Sequence, residues 1–466
     1  MIEKKSVYIC FENEIEKNKL IYHGIINENI SDYSINGNKI MYTFNNEFFE
    51  LKKSLEDVRV ESLIPLENLK RKLNNNEIAY LCIEEKQTVS YINFSNNSIQ
   101  GHGLSWNKNK AHQKAFYEYL ERYSASLKLP NTRIENYNQI KTNAIDPRRF
   151  GVYSFEMTKQ NNLYEYSDNL VIEWCESTSL LDGTGYYVPL QLVQYLNSNL
   201  LNRYVYESSN GCALGNTTSE ATLYALLECI ERESFMHFWF DDLECYEITF
   251  NSSHKSIIAR ILYFEELGYK LRFFYIKTKC DIPLIWCLIT SVEQKNPIYS
   301  ITGLSAHINI EYALQNAYEE VLNAYHMLHS YKPEKLSADI KKVEKSQKLN
   351  SLMDHVYYFA SYDAKEKINN KINNTKMPFQ NLLNRQVRHL SIKEELTYVL
   401  KKAKEIYNEI LIVDQTASFL KENHLYCVKV LLPDGIPLDF SSKLIRENGN
   451  IICKKKITNF NIHPVG

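Results

Sequence analysis

Three segments of this chain repeat one local pattern, and it restricts the fold more than any other feature. Ala115-Phe-Tyr-Glu118-Tyr-Leu-Glu121-Arg122, Ala225-Leu-Leu-Glu228-Cys-Ile-Glu231-Arg232 and Ala317-Tyr-Glu-Glu320-Val-Leu-Asn323 all read Ala-x-x-Glu-x-x-(Glu or Asn). Residues three apart share a helix face, so Glu118 with Glu121, and Glu228 with Glu231, each send two carboxylates in one direction. Their neighbours Phe116, Tyr119, Leu120, Leu226, Leu227 and Ile230 are apolar. The carboxylates therefore stand at the edge of, or within, a packing surface, where an unpaired charge is costly. Something cationic must offset them.

Two sources of positive charge are open. Arg122 and Arg232 follow the glutamate pairs directly and can bridge between helices. Alternatively, the three helices share one site: hard oxygen ligands suit magnesium, which keeps substrate phosphates among its ligands, and the planar arginine forks suit phosphate oxygens. Before the second helix runs Ser208-Ser-Asn-Gly-Cys-Ala-Leu-Gly-Asn216-Thr-Thr-Ser-Glu220, which reads as a small-residue loop. Gly211 and Gly215 allow close backbone approach, and Thr217, Thr218 or Ser219 can cap the helix. A loop feeding a helix N-terminus is an anion site, and Glu220 falls on the face of Glu228 and Glu231. Gly101-His-Gly103-Leu-Ser105 reads as a similar loop before the first helix. There is no Gly-Lys dipeptide and no Gly-x-Gly-x-x-Gly, so a nucleotide bound here is held in some other way.

The remaining sequence sets the frame. Across 466 residues, 44% hydrophobic and 24% charged content is that of a globular protein. A net charge of −2 gives no reason to expect nucleic acid or an anionic membrane as partner. The ten cysteines include no Cys-x-x-Cys pair, and Cys10, Cys82 and Cys287 sit in apolar runs where a reduced core thiol is the default. The apolar stretch Val7–Phe11 is too short for a signal sequence, and no run is long enough to span a membrane. The chain reads as cytoplasmic.

Strand-like stretches dominate the start: Ser6–Phe11, Leu20–Ile25, Lys39–Phe44 and Ile78–Ile83, with a helical segment at Phe48–Leu73 broken near Pro65. Residues 1–95 read as a small strand-rich extension that could serve for docking. From residue 96 to 466, strands alternate with long helices. The helices are Ala111–Leu127, Ser219–Trp239 and Ile310–Leu328. Strands are expected at Leu170–Cys175, Tyr186–Pro189, Leu271–Tyr275, Leu284–Ile289, Tyr357–Ala360, Ile410–Val413 and Tyr426–Leu432. Asn131–Arg149 and Lys365–Pro378 are polar and carry prolines, so both read as loops. The fold class is α/β, with mixed sheets and helices packed across them.

These motifs match a known family. Ser209–Phe235, SNGCALGNTTSEATLYALLECIERESF, closely resembles the central motif of YcaO-domain proteins. Gly101–Ser126 resembles the motif before it, Gly303–Asn323 the third, and Glu409–Phe440 the late strand–helix–strand stretch. The resemblance covers residue 96 to the C-terminus. It implies a YcaO-type ATP-binding fold in which Glu118, Glu121, Glu228, Glu231 and Glu320 handle metal or phosphate. By the same resemblance Asn216, Glu220 and Arg232 contact nucleotide, and Arg122 supports them.

The implied cofactors are ATP and Mg2+, and the implied reaction phosphorylates a backbone amide of a ribosomal precursor peptide. Azoline formation (thiazoline or oxazoline rings, as in bacteriocin biosynthesis) follows when a Cys, Ser or Thr side chain is the nucleophile. Thioamide or amidine formation follows from another nucleophile, and a non-catalytic docking subunit is the third alternative. Implied partners are the precursor peptide, a ThiF-like leader-binding protein and a flavin dehydrogenase, with a homodimer also compatible. The sequence departs from the family pattern at His102, where Lys is frequent, and at Lys114, where Ser is common. Asn316 and Asn323 replace the usual Arg and Gln, and Glu233 replaces a frequent Asp. The C-terminus keeps only His463-Pro464 of a Pro-x-Pro-x-Pro tail.

Overall fold

The computed structural model describes residues 32–36, 39–44, 47–54, 77–84, 88–96 and 99–105, then 108–465 except 197–199, 242, 295, 347–348, 373–374, 385–386, 388–389, 442 and 447–461. Four sheets are present among the described residues. β1 (Asp32–Asn36), β2 (Lys39–Phe44) and β3 (Glu47–Ser54) form one antiparallel sheet. β4 (Glu77–Glu84), β5 (Thr88–Asn96) and β6 (Ile99–Ser105) form a second, and the helix α1 (Lys108–Ser126) follows it.

Next come β7 (Arg133–Glu135), β8 (Ile172–Ser179), β9 (Gly185–Pro189) and β10 (Cys212–Gly215), then α2 (Thr218–Asp241). β11 (Cys245–Thr249), α3 (Lys255–Glu266), β12 (Tyr269–Ile276), β13 (Leu284–Ser291) and β14 (Ser300–Ala306) lead into α4 (Ile310–Ser330). The chain continues through α5 (Pro333–Ser346), α6 (Leu352–Ala360), β15 (Lys376–Pro378), α7 (Ile392–Ala403), β16 (Leu411–Asp414) and β17 (Tyr426–Leu431). The third sheet has the order β10-β17-β16-β8-β7 with β9 on β8, and the fourth is β14-β13-β12-β11-β15.

β13 explains how the helices are placed. Its eight residues are buried on both faces except the last, so it reads as a continuous apolar run. Successive side chains point to opposite faces. Leu284, Trp286 and Leu288 join the core under α2, and Ile285, Cys287 and Ile289 join the core under α4. α2 and α4 therefore lie on opposite sides of one sheet. Trp286 stacks among Phe274, Phe235 and Trp239, with ring centroids 5.0, 6.0 and 6.5 Å away; each such pair adds about 0.5–1.5 kcal/mol beyond area burial. α2 is apolar nearly all round because it is covered on several sides, by β14, β17 and α7.

Two strand glycines set how closely helix and strand approach. A Cβ built on Gly101 would lie 2.1 Å from the Ala115 carbonyl oxygen, and one on Gly303 would lie 2.3 Å from that of Ala317. In both cases helix backbone sits directly on strand backbone, so only Gly opposite Ala fits.

The three principal helices stand where the sequence places them, extended by one to three residues at most ends. Other segments differ. Gly101–Ser105 and Cys212–Gly215 are strand rather than loop, since each pairs with a neighbour (β5 and β17). Phe48–Ser54 is strand, because Phe49 and Glu50 pair with Tyr42 and Met41; the rest of the expected helix to Leu73 lies outside the described residues, as do Ser6–Phe11 and Leu20–Ile25. Tyr357–Ala360 is the end of α6, which starts at a Ser351 side-chain cap on Asp354 N.

Lys365–Pro378 holds a short helix, Lys365–Lys371, and β15, while Asn131–Arg149 holds β7 and a capped turn of helix at Tyr137–Ile140. β5 and β6 are hydrogen-bonded neighbours across a division at residue 95, so β4 and β5 share a sheet with the strand under α1. The cysteines described here are free and buried, Cys287 among them.

Gly303→Ala forces the Ala317 turn of α4 off β14, and overpacking of this kind costs about 1–3 kcal/mol. Urea unfolding followed by far-UV dichroism should show that loss. Unchanged stability would mean the close approach is not a constraint.

Candidate active site

The glutamates sit where helix meets strand, and backbone N–H groups of the strands, or for Glu228 of the turn just before β10, hold them. Glu118 accepts from His102 N of its own β6. Glu228 accepts from Gly211 N at 3.0 Å, and Glu320 from Leu304 N at 2.8 Å. The second carboxylate of each pair reaches the next unit instead. Glu121 on α1 takes a backbone hydrogen bond from Leu214 of β10, and Glu231 on α2 takes Ala306 N of β14 at 2.9 Å. Asn323, the third member of the series, ends in a buried Oδ1 with no hydrogen-bond partner.

The arginines turn toward these carboxylates. Arg122 Nη2 is 2.5 Å from Glu118 Oε1; Arg232 Nε is 3.3 Å from Glu231 Oε1, and its Nη2 is 3.9 Å from Glu320 Oε1. Lys114, on α1, reaches across to Glu319 on α4 at 2.6 Å, so this departure from the family pattern ties two of the three helices together. Lys429, almost fully buried, donates to Ser208 O at 2.8 Å beneath Glu228. Asn216 N donates to the fully buried Glu220 at 2.8 Å, and Thr217 Oγ1 caps Glu220 N.

The surface over these groups is recessed but open on one side. Glu231 is 8% exposed, whereas the Glu320 side chain keeps 45% of its surface accessible. Burial pushes Glu231 up to about 8; Arg232 opposes this and Glu320 adds to it. Burial likewise raises Glu121, with Glu228 adding, and raises Glu228 against the pull of Arg232. One hydrogen bond to a charged group returns about 1.5–3 kcal/mol, less than the several kcal/mol lost by dehydrating a carboxylate. The five carboxylates thus retain a demand for positive charge that two arginines do not meet.

Among the described residues no three carboxylate, imidazole or thiol groups converge closely enough to hold a metal alone; the glutamates approach in pairs. Paired carboxylates fit Mg2+ bound together with phosphate and water. Asn216 Nδ2 is a buried donor without a partner, which fits a polar ligand at the same place. Sequence reasoning named Asn216, Glu220, Arg122 and Arg232, and noted Lys114 only as a departure from the family pattern; it missed the Lys114–Glu319 pair and Lys429. It also missed the tail, where Ile462 O accepts from Trp239 Nε1 at 2.8 Å and buried His463 stacks on His355 at 4.3 Å.

A Gly-strand, helix and carboxylate unit written three times, with arginine forks and no phosphate loop of the familiar kinds, defines a nucleotide- and metal-handling α/β protein. A family model described as YcaO cyclodehydratase, ATP- and Mg2+-binding, matches residues 100–435, and the chain belongs to that family, with ATP and Mg2+ as its cofactors. An uncharacterized protein in the tfuA 3' region of Rhizobium leguminosarum bv. trifolii is 38% identical over 64 residues, 14% of this chain and 15% of that one.

Three solved structures share the fold. A heterocyclase in complex with substrate and cofactor has TM-score 0.59 and 20% identity, covering 77% of this chain and 49% of its own. YcaO from Methanopyrus kandleri bound with AMPPCP and Mg2+ gives 0.55 and 16%, covering 79% and 87%. The E. coli microcin synthetase McbBCD complex with pro-MccB17 gives 0.55 and 15%, covering 77% and 88%. The chain thus spans about half of the first heterocyclase and a small part of the Rhizobium protein. Among the described residues no helix is long and apolar enough to cross a membrane.

The raised carboxyls fix a pH dependence. Between about 4.5 and about 8 the folded chain keeps a proton on Glu231 that the unfolded chain has lost. Stability from this group is therefore complete below 4.5 and is lost as pH rises toward 8. Ligand-free protein should melt at a lower temperature near pH 8 than near pH 5.5, and MgATP should restore the difference by replacing the proton. Equal melting temperatures without ligand, or a MgATP effect that shrinks as pH rises, would contradict this.

Proposed function

We propose that this chain is the ATP- and Mg2+-dependent cyclodehydratase subunit of a peptide-modifying system. It phosphorylates backbone amide oxygens of a ribosomal precursor peptide so that thiazoline or oxazoline rings form. The observation that supports this best is the series Glu118, Glu121, Glu228, Glu231 and Glu320, each held by a backbone N–H from a strand or the turn before it. In this reading these residues hold the metal and triphosphate, and Asn216 and Glu220 contact the nucleotide. ATP supplies the phosphoryl group that lets the amide oxygen leave as phosphate, and Mg2+ offsets the charge of the triphosphate.

The protein's own part is positioning and neutralisation, the two means by which phosphoryl transfer is accelerated. Arg232 and Arg122, already poised beside carboxylates, turn their forks to phosphate oxygens once a cation takes their place. The partners in this reading are the precursor peptide, a ThiF-like protein that binds its leader, and a flavin dehydrogenase that oxidises the rings. Residues 1–95 would serve docking.

Purified chain, leader-binding partner and precursor should release phosphate as the peptide loses one water per ring by mass spectrometry. Glu228→Gln should lower that turnover by roughly 10²-fold or more, the usual effect of removing one preorganised charge from such a site. Phosphate release with oxygen exchanged for sulfur would assign thioamide formation instead. Wild-type protein that binds no nucleotide would assign a docking subunit.

A further inference from the structure

Beside the carboxylate face of α2 lies a cleft of about 70 Å3, partly open to solvent, walled by residues 430–432 and 435–438 and by Phe150. Its floor includes Asn210, Arg232 and Glu233. Glu233 is only 4% exposed. Its Oε2 accepts from the Tyr407 hydroxyl, while Oε1 has no hydrogen-bond partner. His237 Nε2 lies 3.6 Å away, beyond hydrogen-bonding distance.

A Cβ on Gly435 would lie 3.3 Å from Oε1, so a larger residue there would crowd that buried oxygen; both residues line the cleft. Asn210 Oδ1 is a second buried acceptor without a partner in the same lining. Two orphaned acceptors in one cavity each carry a desolvation cost unless a donor comes to them.

The cations of the lining are committed elsewhere. Arg446 donates from Nε to Asp439 at 2.9 Å, from Nη1 to Glu207 at 2.9 Å and from Nη2 to Leu438 O at 3.2 Å. Arg232 turns to Glu231 and Glu320. The cleft therefore presents acceptors and an apolar wall. It is no extension of the phosphate site. The rim is fixed as well: Arg149 clamps Asp434 through Nη2 at 2.6 Å and accepts Asp434 N on its carbonyl at 2.6 Å. A fixed rim spares a ligand the cost of ordering it.

We propose that this cleft is the substrate subsite, in which Glu233 and Asn210 accept backbone N–H groups of the peptide while its side chains lie along residues 430–438. An extended peptide presents backbone N–H groups to one side at every second residue, about 6.6 Å apart, the kind of donor the cleft lacks. The proposal rests on a peptide being the substrate. Tyr407 is a positioning residue: by holding Oε2 it leaves Oε1 for the ligand.

The probe is acetyl-Gly-Cys-Gly-amide, and beside it the same peptide N-methylated at every backbone nitrogen. Protein loaded with AMPPCP and Mg2+ should bind the first peptide, by ligand-observed NMR, and bind the methylated one roughly tenfold or more weakly. E233Q keeps the Tyr407 bond on its amide oxygen and turns an NH2 group into the cleft. It should weaken the first peptide by a similar factor and leave the second unchanged. Asn210→Leu, in a loop outside the core, should do the same if E233Q fails to fold. AMPPCP affinity by calorimetry should match wild type in both variants.

Equal binding of the two peptides would overturn the subsite. So would no binding of the first, or loss of AMPPCP affinity in Asn210→Leu. Wild-type protein that does not bind AMPPCP would instead sink the ATP reading, while donor-dependent peptide binding would still decide the subsite.

Discussion

A carboxylate set among apolar side chains loses several kcal/mol of hydration, and this chain accepts that loss repeatedly in one place. What makes it tolerable is a backbone N–H aimed at each carboxylate from an adjacent strand or the turn before it. That arrangement needs the helix pressed onto the strand, which is why glycine faces alanine at Gly101 and Gly303. It also needs the three strand–helix units to be joined, because Glu121 is satisfied by β10 and Glu231 by β14, strands of the following units. The charged residues are thus joints of the architecture. Asn323 closes the series with a neutral side chain and an unsatisfied oxygen, so the third joint carries less negative charge than the other two.

The remaining shortage of positive charge is what the site offers to a ligand. Arg122 and Arg232 already lie against Glu118, Glu231 and Glu320, which is the internal pairing that the sequence offered as one of two alternatives. In the proposed reading, internal pairs hold the geometry while the raised carboxyls keep a proton, and a metal with phosphate would displace both. A buried pair with uneven charge is a poor stabiliser. Here that imbalance is the useful property.

How much of this the sequence disclosed follows from which interactions are local. The three helices and the shared face of each glutamate pair were legible because i,i+3 geometry is local. The strands before the first two helices were not, since Gly, Ser and Asn signal turns, and nothing local says that a glycine is needed for backbone contact. One signal was nonetheless present. The separations 101 to 118, 211 to 228 and 303 to 320 are all the same, 17 residues, a glycine-to-glutamate spacing written three times, with Gly211 in the turn before β10 and the other two glycines within strands. Tyr357–Ala360 failed for the opposite reason: a short apolar run looks alike in strand and helix, and the Ser351 cap that decides it lies upstream.

α2 also explains how two different chemistries can lie side by side without mixing. At about 100° per residue, Glu228 and Glu231 lie within 60° of each other, and Cys229 and Glu233 occupy the adjoining sector. Arg232 falls between the two sectors. The side that holds carboxylates for a cation and the side that opens on the cleft therefore share one guanidinium, and it is the group both have in common. A ligand that draws Arg232 away from Glu231 acts on both faces at once. In the proposed reading, occupation of the phosphate side and of the cleft would be linked through this one side chain.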